Sequence, residues 1–320
     1  MRRTNKLGSQ NRLARLLVST VFVVLIGACG RSESSLMRLV PVDSCAIITL
    51  DWSSLRHDPD LRRLINGDEF EALLKRIRID SDSVDSVTVF SSIDSQTTSG
   101  LLLRGSFNRN QVVAALKQSG WEENLLENRS VYVNGTDCIA SLGRNILFAG
   151  TRGGASAVFR AQESVRESIV SSPAFKKINH GTSMNSKPVR ALLLIPQGTL
   201  DMADAALTAS SVVLSLFELG GIGQLLKAVN VARGFDLSLD HGTHDEYRAE
   251  LCVLMRDEEA AVFVNGSLNA LKTISELAAT DKRDLEGLKA LQKMKVDRRG
   301  EVLRLNMEIP ATALLPPNGR

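Results

Sequence analysis

"NHGTSMNSKPVRALLLIP", residues 179–196, is the stretch on which the reading of the fold turns. Its first nine residues, 179–187, are mostly polar and read as a linker, whereas VRALLLIP behind them is an apolar run of strand length. Upstream of the linker, CAIITLDW reads as a strand, and Asp58-Pro59 offers an N-cap and a proline at the first position of a helix that Gly67 stops. Asp68 and Glu71 then form a capping arrangement ahead of Phe70, Leu73, Leu74 and Ile77, which share a helical face. SVTVFSSI and GLLLRGSF read as two strands, Asn108 caps a helix ending at Gly120, SVYVNG, DCIASLG and NILFAG read as three more strands, and Thr151 opens a further helix. Downstream, VRALLLIP is followed by a helical stretch from Leu200 to Ala232 and a hairpin of RGFDLSLD with YRAELCVLM. A helix from Asp257 to Thr280 with a second helical piece, and a hairpin of KMKVDR with VLRLNMEI, complete the chain.

The order strand, helix, hairpin, helix, hairpin therefore runs twice. It predicts an α+β protein of two similar halves, 37–180 and 187–315, with a short tail at 316–320. Sequential hairpins call for mainly antiparallel sheets, and we expect the helices to pack on one face of them. This plan resembles that of uncharacterised exported bacterial proteins with duplicated α+β domains.

The amino terminus has a different character. Arg2, Arg3, Lys6, Arg12 and Arg15 precede an uncharged stretch of 15 residues, LLVSTVFVVLIGACG, that ends before Arg31. A helix crossing hydrocarbon needs about 20 residues, so the run is short for a span. It fits the basic and apolar regions of a secretory signal over residues 1–28. Its end, Leu25-Ile26-Gly27-Ala28-Cys29, resembles the lipobox of bacterial lipoprotein precursors. That resemblance implies cleavage before Cys29, acyl chains on its thiol and new amino group, and a lipidated tether over 29–36. An ordinary signal cut near Ala28 and an uncleaved anchor are the alternatives on the residues alone.

Taking the five basic residues of 1–28 from 39 leaves 34 Lys and Arg against 36 Asp and Glu, a formal charge of about −2. A nucleic-acid footprint requires a clustered basic face, so no nucleic-acid partner is expected. Aromatic content of 4% disfavours a carbohydrate module, because such surfaces lean on aromatic side chains. Cys45, Cys138 and Cys252 fall in apolar, strand-like runs and read as buried small hydrophobes, with one disulfide as the alternative.

Two motifs invite chemistry and read more plainly as turns. HGTHDE, residues 241–246, places two histidines beside two carboxylates, but at a hairpin tip and without further metal ligands nearby, so no metal is expected. FAGTRGGAS, residues 148–156, sits between strand and helix yet lacks the spacing of a phosphate loop, so no cofactor is expected. The glycines of ELGGIGQLL, Gly220 to Gly223, read as a break between helices. His57, His180, His241 and His244 all sit in polar or turn-like contexts, and no catalytic residue is assigned.

The least ordinary feature is the helix over Leu200–Leu219. Asp204, Thr208, Ser211, Ser215 and Glu218 share a narrow polar strip, and apolar residues fill about 240° around it, where a surface helix needs a stripe of about 100°. It should be covered on two sides: by its sheet and the other half of the protein, or by a partner protein or apolar ligand such as lipid, a dimer contact, or docking on the membrane near the tether. The sequence thus leads to an exported, membrane-anchored, non-catalytic binding or scaffolding protein. An exported hydrolase with an unrecognised site is the alternative.

Overall fold

The computed structural model describes residues 36–58, 61, 70–71, 74–75, 78–92, 98–179, 187–195, 232–242, 246–278 and 292–310. Cys29, the stretch Leu200–Leu219, Gly220 to Gly223, His180 and His244 lie outside these residues.

Twelve strands form one sheet. They are β1 (Ser44–Leu50), β2 (Val84–Ser92), β3 (Ser99–Gly105), β4 (Glu122–Leu126), β5 (Arg129–Asn134), β6 (Asp137–Ser141), β7 (Ile146–Thr151), β8 (Val189–Leu194), β9 (Ala232–His241), β10 (Glu246–Met255), β11 (Lys295–Arg299) and β12 (Val302–Pro310). Their order across the sheet is β11-β12-β10-β9-β8-β1-β2-β3-β7-β6-β5-β4. Every pairing is antiparallel, as the hairpin-rich sequence requires. The strands on either side of the 179–187 linker are not separate sheets: β1 pairs directly with β8, Ile47 opposite Leu192 and Thr49 opposite Arg190. At the two edges lie β4, EENLL, and β11, KVDRR, whose charged residues discourage further strand pairing.

The helices are α1 (Trp52–Leu55), α2 (Arg109–Gln118), α3 (Arg152–Glu163), α4 (Pro173–Asn179) and α5 (Glu258–Ala278). Local chemistry starts them. Asn108 accepts from the Gln111 amide, Thr151 from the Gly154 amide and Asp257 from the Ala260 amide, each satisfying a donor that the first turn of α2, α3 or α5 leaves open, and Asp58 accepts in the same way from the Leu61 amide. At its other end α2 is closed by Gly120, in the left-handed region at φ 79°.

The expectation of helices on one face is corrected. Alternate residues of the central strands enter two different cores. Ile48, Leu50, Leu101, Leu103, Val189 and Ala191 pack with Trp52 and Leu55 of α1, Val112 and Leu116 of α2, and Ala261 and Leu268 of α5. Ile47, Leu102, Leu192 and Leu194 pack on the opposite face with Ala155, Val158 and Phe159 of α3, and Phe175 and Ile178 of α4. A near-continuous apolar run such as CAIITL suits a strand covered on both sides, whereas strict alternation suits one open to water. The chain segment at Leu36, Met37, Leu39 and Val40 also belongs to the second core. Among the described residues no helix is long and apolar enough to cross a membrane.

Candidate functional site

Polar chemistry in the described residues gathers in three places, and the largest lies on the second face of the sheet. β8 and β9 run side by side with Leu192 opposite Asp236 and Arg190 opposite Ser238, and β10 brings Glu250 opposite Ser238 and Cys252 opposite Asp236. The register therefore sets a patch of charged side chains into an otherwise apolar layer. Arg190 donates through Nε to both carboxylate oxygens of Asp236, at 2.9 and 3.1 Å, and through a terminal nitrogen at 2.7 Å. It also donates to Oδ1 of Asn179 at 2.9 Å and lies 5.7 Å from the ring of Phe175, both on α4. Asp236 is fully buried. Glu250 is bracketed by Lys187 at 2.5 Å and Arg304 at 3.3 Å, and Lys187 also donates to Ser238. Each of the two carboxylates is paired with a cation, as buried charges must be to avoid an unpaid desolvation penalty.

Cys252 lies within this patch and Cys138 in the same apolar core; both are buried and in no disulfide, as is Cys45, whose Sγ donates to the Ser91 carbonyl at 3.1 Å. Burial pushes Cys138 up to about 11, partly opposed by Arg152, and pushes Cys252 up to about 12, with Asp236 and Glu250 adding to the rise. Protonated thiols are poor nucleophiles. Native protein at pH 8 is expected to leave Cys138 and Cys252 unmodified by iodoacetamide, with both labelled after denaturation in urea; prompt native labelling at either, read by peptide mass, would contradict this burial. Because the folded state retains these protons above 9.0, where unfolded thiols release them, the stability they contribute is intact below pH 9 and is lost as pH climbs towards 11 and 12.

The second place is the hairpin tip that includes His241. Nε2 of His241 lies 3.3 Å from Asp58 Oδ2, and Tyr247 donates its hydroxyl to both Asp58 oxygens at 3.3 and 3.1 Å. Asp58 also caps the backbone at Leu61, and the His241 ring stands 5.6 Å from that of Tyr247. This is a clasp joining the β9–β10 hairpin to the turn after α1. Among the described residues no group of three or more His, Cys, Asp or Glu is placed to hold a metal.

The third place is a polar cleft of about 340 Å³ between α1 and the start of β2. Arg56, His57, Glu71, Lys75 and Asp82 are among its lining residues, and Arg56 pairs with Asp82 at 3.1 Å. With cations and carboxylates interleaved and partly paired, it presents no single sign of charge.

The glycines of 148–156 serve packing. A Cβ on Gly150 or Gly154 would meet the Ser99 carbonyl oxygen at 2.5 or 2.3 Å, so the turn from β7 into α3 passes too close to β3 for any side chain. The sequence reading did not find the Arg190–Asp236 pair. Its signal was a charge inside each of two strand runs, Arg190 in VRALLLIP and Asp236 between Phe235 and Leu237, but only the register makes them neighbours.

Comparison with known proteins gives a distant likeness. No family model and no curated protein matches the chain. Among solved structures, crystal form III of TP0453 superposes with a TM-score of 0.47 at 15% identity, covering 87% of this chain and 95% of that one. Crystal form I gives 0.45 at 12% and form IV 0.46 at 15%, each covering 87% of this chain and 94% of the other. A superposition of this quality leaves the functional reading to the residues of this chain.

Proposed function

We propose that this chain is an envelope lipoprotein, anchored through acyl chains on Cys29, whose α+β body acts by contact and not by catalysis. The observation that carries the reading is the amino-terminal layout: five basic residues, an uncharged run of 15, and Leu25-Ile26-Gly27-Ala28 directly before Cys29. The position of Leu36 supports it. That side chain is 1% exposed in the core, and it is only seven positions after Cys29, so acyl chains there would hold the body next to the lipid. Two or three acyl chains give stable attachment at about 0.8 kcal/mol per buried CH₂, where one is marginal.

The body is a duplicated unit on this reading. Support comes from the order outward from the central pair: β1-β2-β3-β7-β6 on one side and β8-β9-β10-β12-β11 on the other. α2 and α5, the helices after β3 and β10, contribute to the same core, and the β4–β5 hairpin is an addition to the first half. The non-catalytic reading is supported by the pairing of both buried carboxylates with cations and by thiols held protonated. The apolar stretch Leu200–Leu219 is assigned to a protein or apolar-ligand contact.

Intact mass of the protein purified from its native membranes tests the anchor. The expected product begins at Cys29 and carries acyl increments, and Cys29→Ser leaves uncut precursor. A mature product with another first residue, or with no acyl mass, would overturn the assignment.

A further inference from the structure

Three hydrogen bonds staple residues 37–42 to residues 165–169. The Val42 amide donates to the Glu167 carbonyl at 2.8 Å, the Ile169 amide to the Val40 carbonyl at 2.9 Å and the Ser168 hydroxyl to the Met37 carbonyl at 3.1 Å, while Pro41 and Ser168 form a β-bridge. Leu36 and Met37, each 1% exposed, and Val40, fully buried, fix this segment to the second core. Outside the staple two large apolar side chains face solvent: Val42, 37% exposed, and Val165, 62% exposed. Single exposed apolar residues are ordinary on a protein surface. These two flank the staple, since Val42 bonds Glu167 and the Ser168 amide bonds the Val165 carbonyl, and Ser168 also holds Met37, next to Leu36, the first described residue after Cys29.

We propose that this rim, Val42 and Val165, rests on the bilayer that holds the acylated Cys29; the inference depends on the lipoprotein reading and adds to it the orientation of the body. The six residues Gly30 to Ser35 span about 20 Å at full extension. A body of this size is roughly 50 Å across. A tether shorter than the body cannot present the far side of the body to the lipid, so the side on which it is stapled faces the membrane. Arg38 and Arg166 stand exposed there beside exposed Asp43 and Glu167. The charges balance, so the contact is apolar and indifferent to the charge of the lipid. Two other exposed apolar side chains, Val262 and Phe263 on α5, serve as controls, since α5 packs on the first core, across the sheet from Leu36 and Val40.

The test places a photo-crosslinking residue singly at Val42, Val165, Val262 and Phe263 in the full precursor. Each acylated product is reconstituted into vesicles of phosphatidylcholine, alone or mixed with phosphatidylglycerol. Lipid adducts are expected at Val42 and Val165 in about fivefold excess over Val262 and Phe263, with little change between the two vesicle types. Equal adducts at all four positions, or an excess at Val262 or Phe263, overturn the proposal. Intact mass of the same samples separates the two failures: no acyl increment overturns the lipoprotein reading and the orientation with it, whereas acylated protein with evenly spread adducts overturns the orientation alone.

Discussion

Replacing Asp236 by alanine is expected to cost about 3–5 kcal/mol of folding stability, a large part of the about 5–15 kcal/mol that holds a typical domain together. Asp236 is completely buried and accepts three close contacts from Arg190, itself 5% exposed. Removing the carboxylate leaves a guanidinium in a layer made by Phe175, Leu192, Cys252 and Leu254, where it cannot recover its hydration. The Asn179 contact supplies a neutral acceptor and no opposing charge. The loss should appear as a lower urea midpoint. Paired replacement by Arg190→Met and Asp236→Leu is expected to recover most of the loss, because exchanging a buried ion pair for apolar groups of similar volume is often close to neutral. A single-variant cost below about 1 kcal/mol, the range of an exposed ion pair, would mean that water reaches the pair and that the second face is less closed than its packing indicates.

The same pair marks the boundary of what could be read in advance. Helix starts were legible because capping chemistry acts within three residues: Asp58, Asn108, Thr151 and Asp257 all cap as their positions in the sequence indicate. Strand runs were legible where apolar residues cluster, as in β1, β8 and β10. β4 was not legible, because EENLL has neither alternation nor burial; it is a strand through its pairing with β5 across a turn with Glu127 and Asn128 at positive φ. Asn128 is the one local hint of that turn. α4 was missed although Ser172-Pro173 is a fair start signal, since the seven residues that follow are too few to show a helical period. Covering of the sheet on both faces was foreshadowed by the unbroken apolar runs, and the expectation of one covered face gave them too little weight. The merging of the strands into one sheet depends on β1 meeting β8 across more than a hundred residues of chain, which no local pattern encodes.

Trp52→Ala is expected to cost about 3–5 kcal/mol as well, by the loss of buried volume and not of charge. Trp52 opens the one-turn helix α1 directly after β1, and Asp51 holds that turn by accepting from the Ser54 amide at 3.2 Å and from the Ser54 hydroxyl at 2.9 Å. The indole is fully buried, and its Nε1 donates to the Ser81 hydroxyl at 2.9 Å. It meets the Phe70 ring edge-on, with centroids 4.5 Å apart, an arrangement that adds about 0.5–1.5 kcal/mol beyond buried area. Trp52 therefore links the end of β1, the segment around Phe70 and the turn before β2, which together frame the polar cleft at Arg56 and Lys75. Trp52→Phe separates the contributions: it keeps most of the apolar volume and gives up the indole donor, so its cost should fall to about 1–2 kcal/mol. Far-UV circular dichroism is the right probe, because the variant removes one of the two tryptophans, leaving Trp121 to report by fluorescence on a different element. If Trp52→Ala shifts the midpoint no more than Trp52→Phe does, the indole fills no space that matters, and the segment around Phe70 is held to the sheet by contacts other than this one.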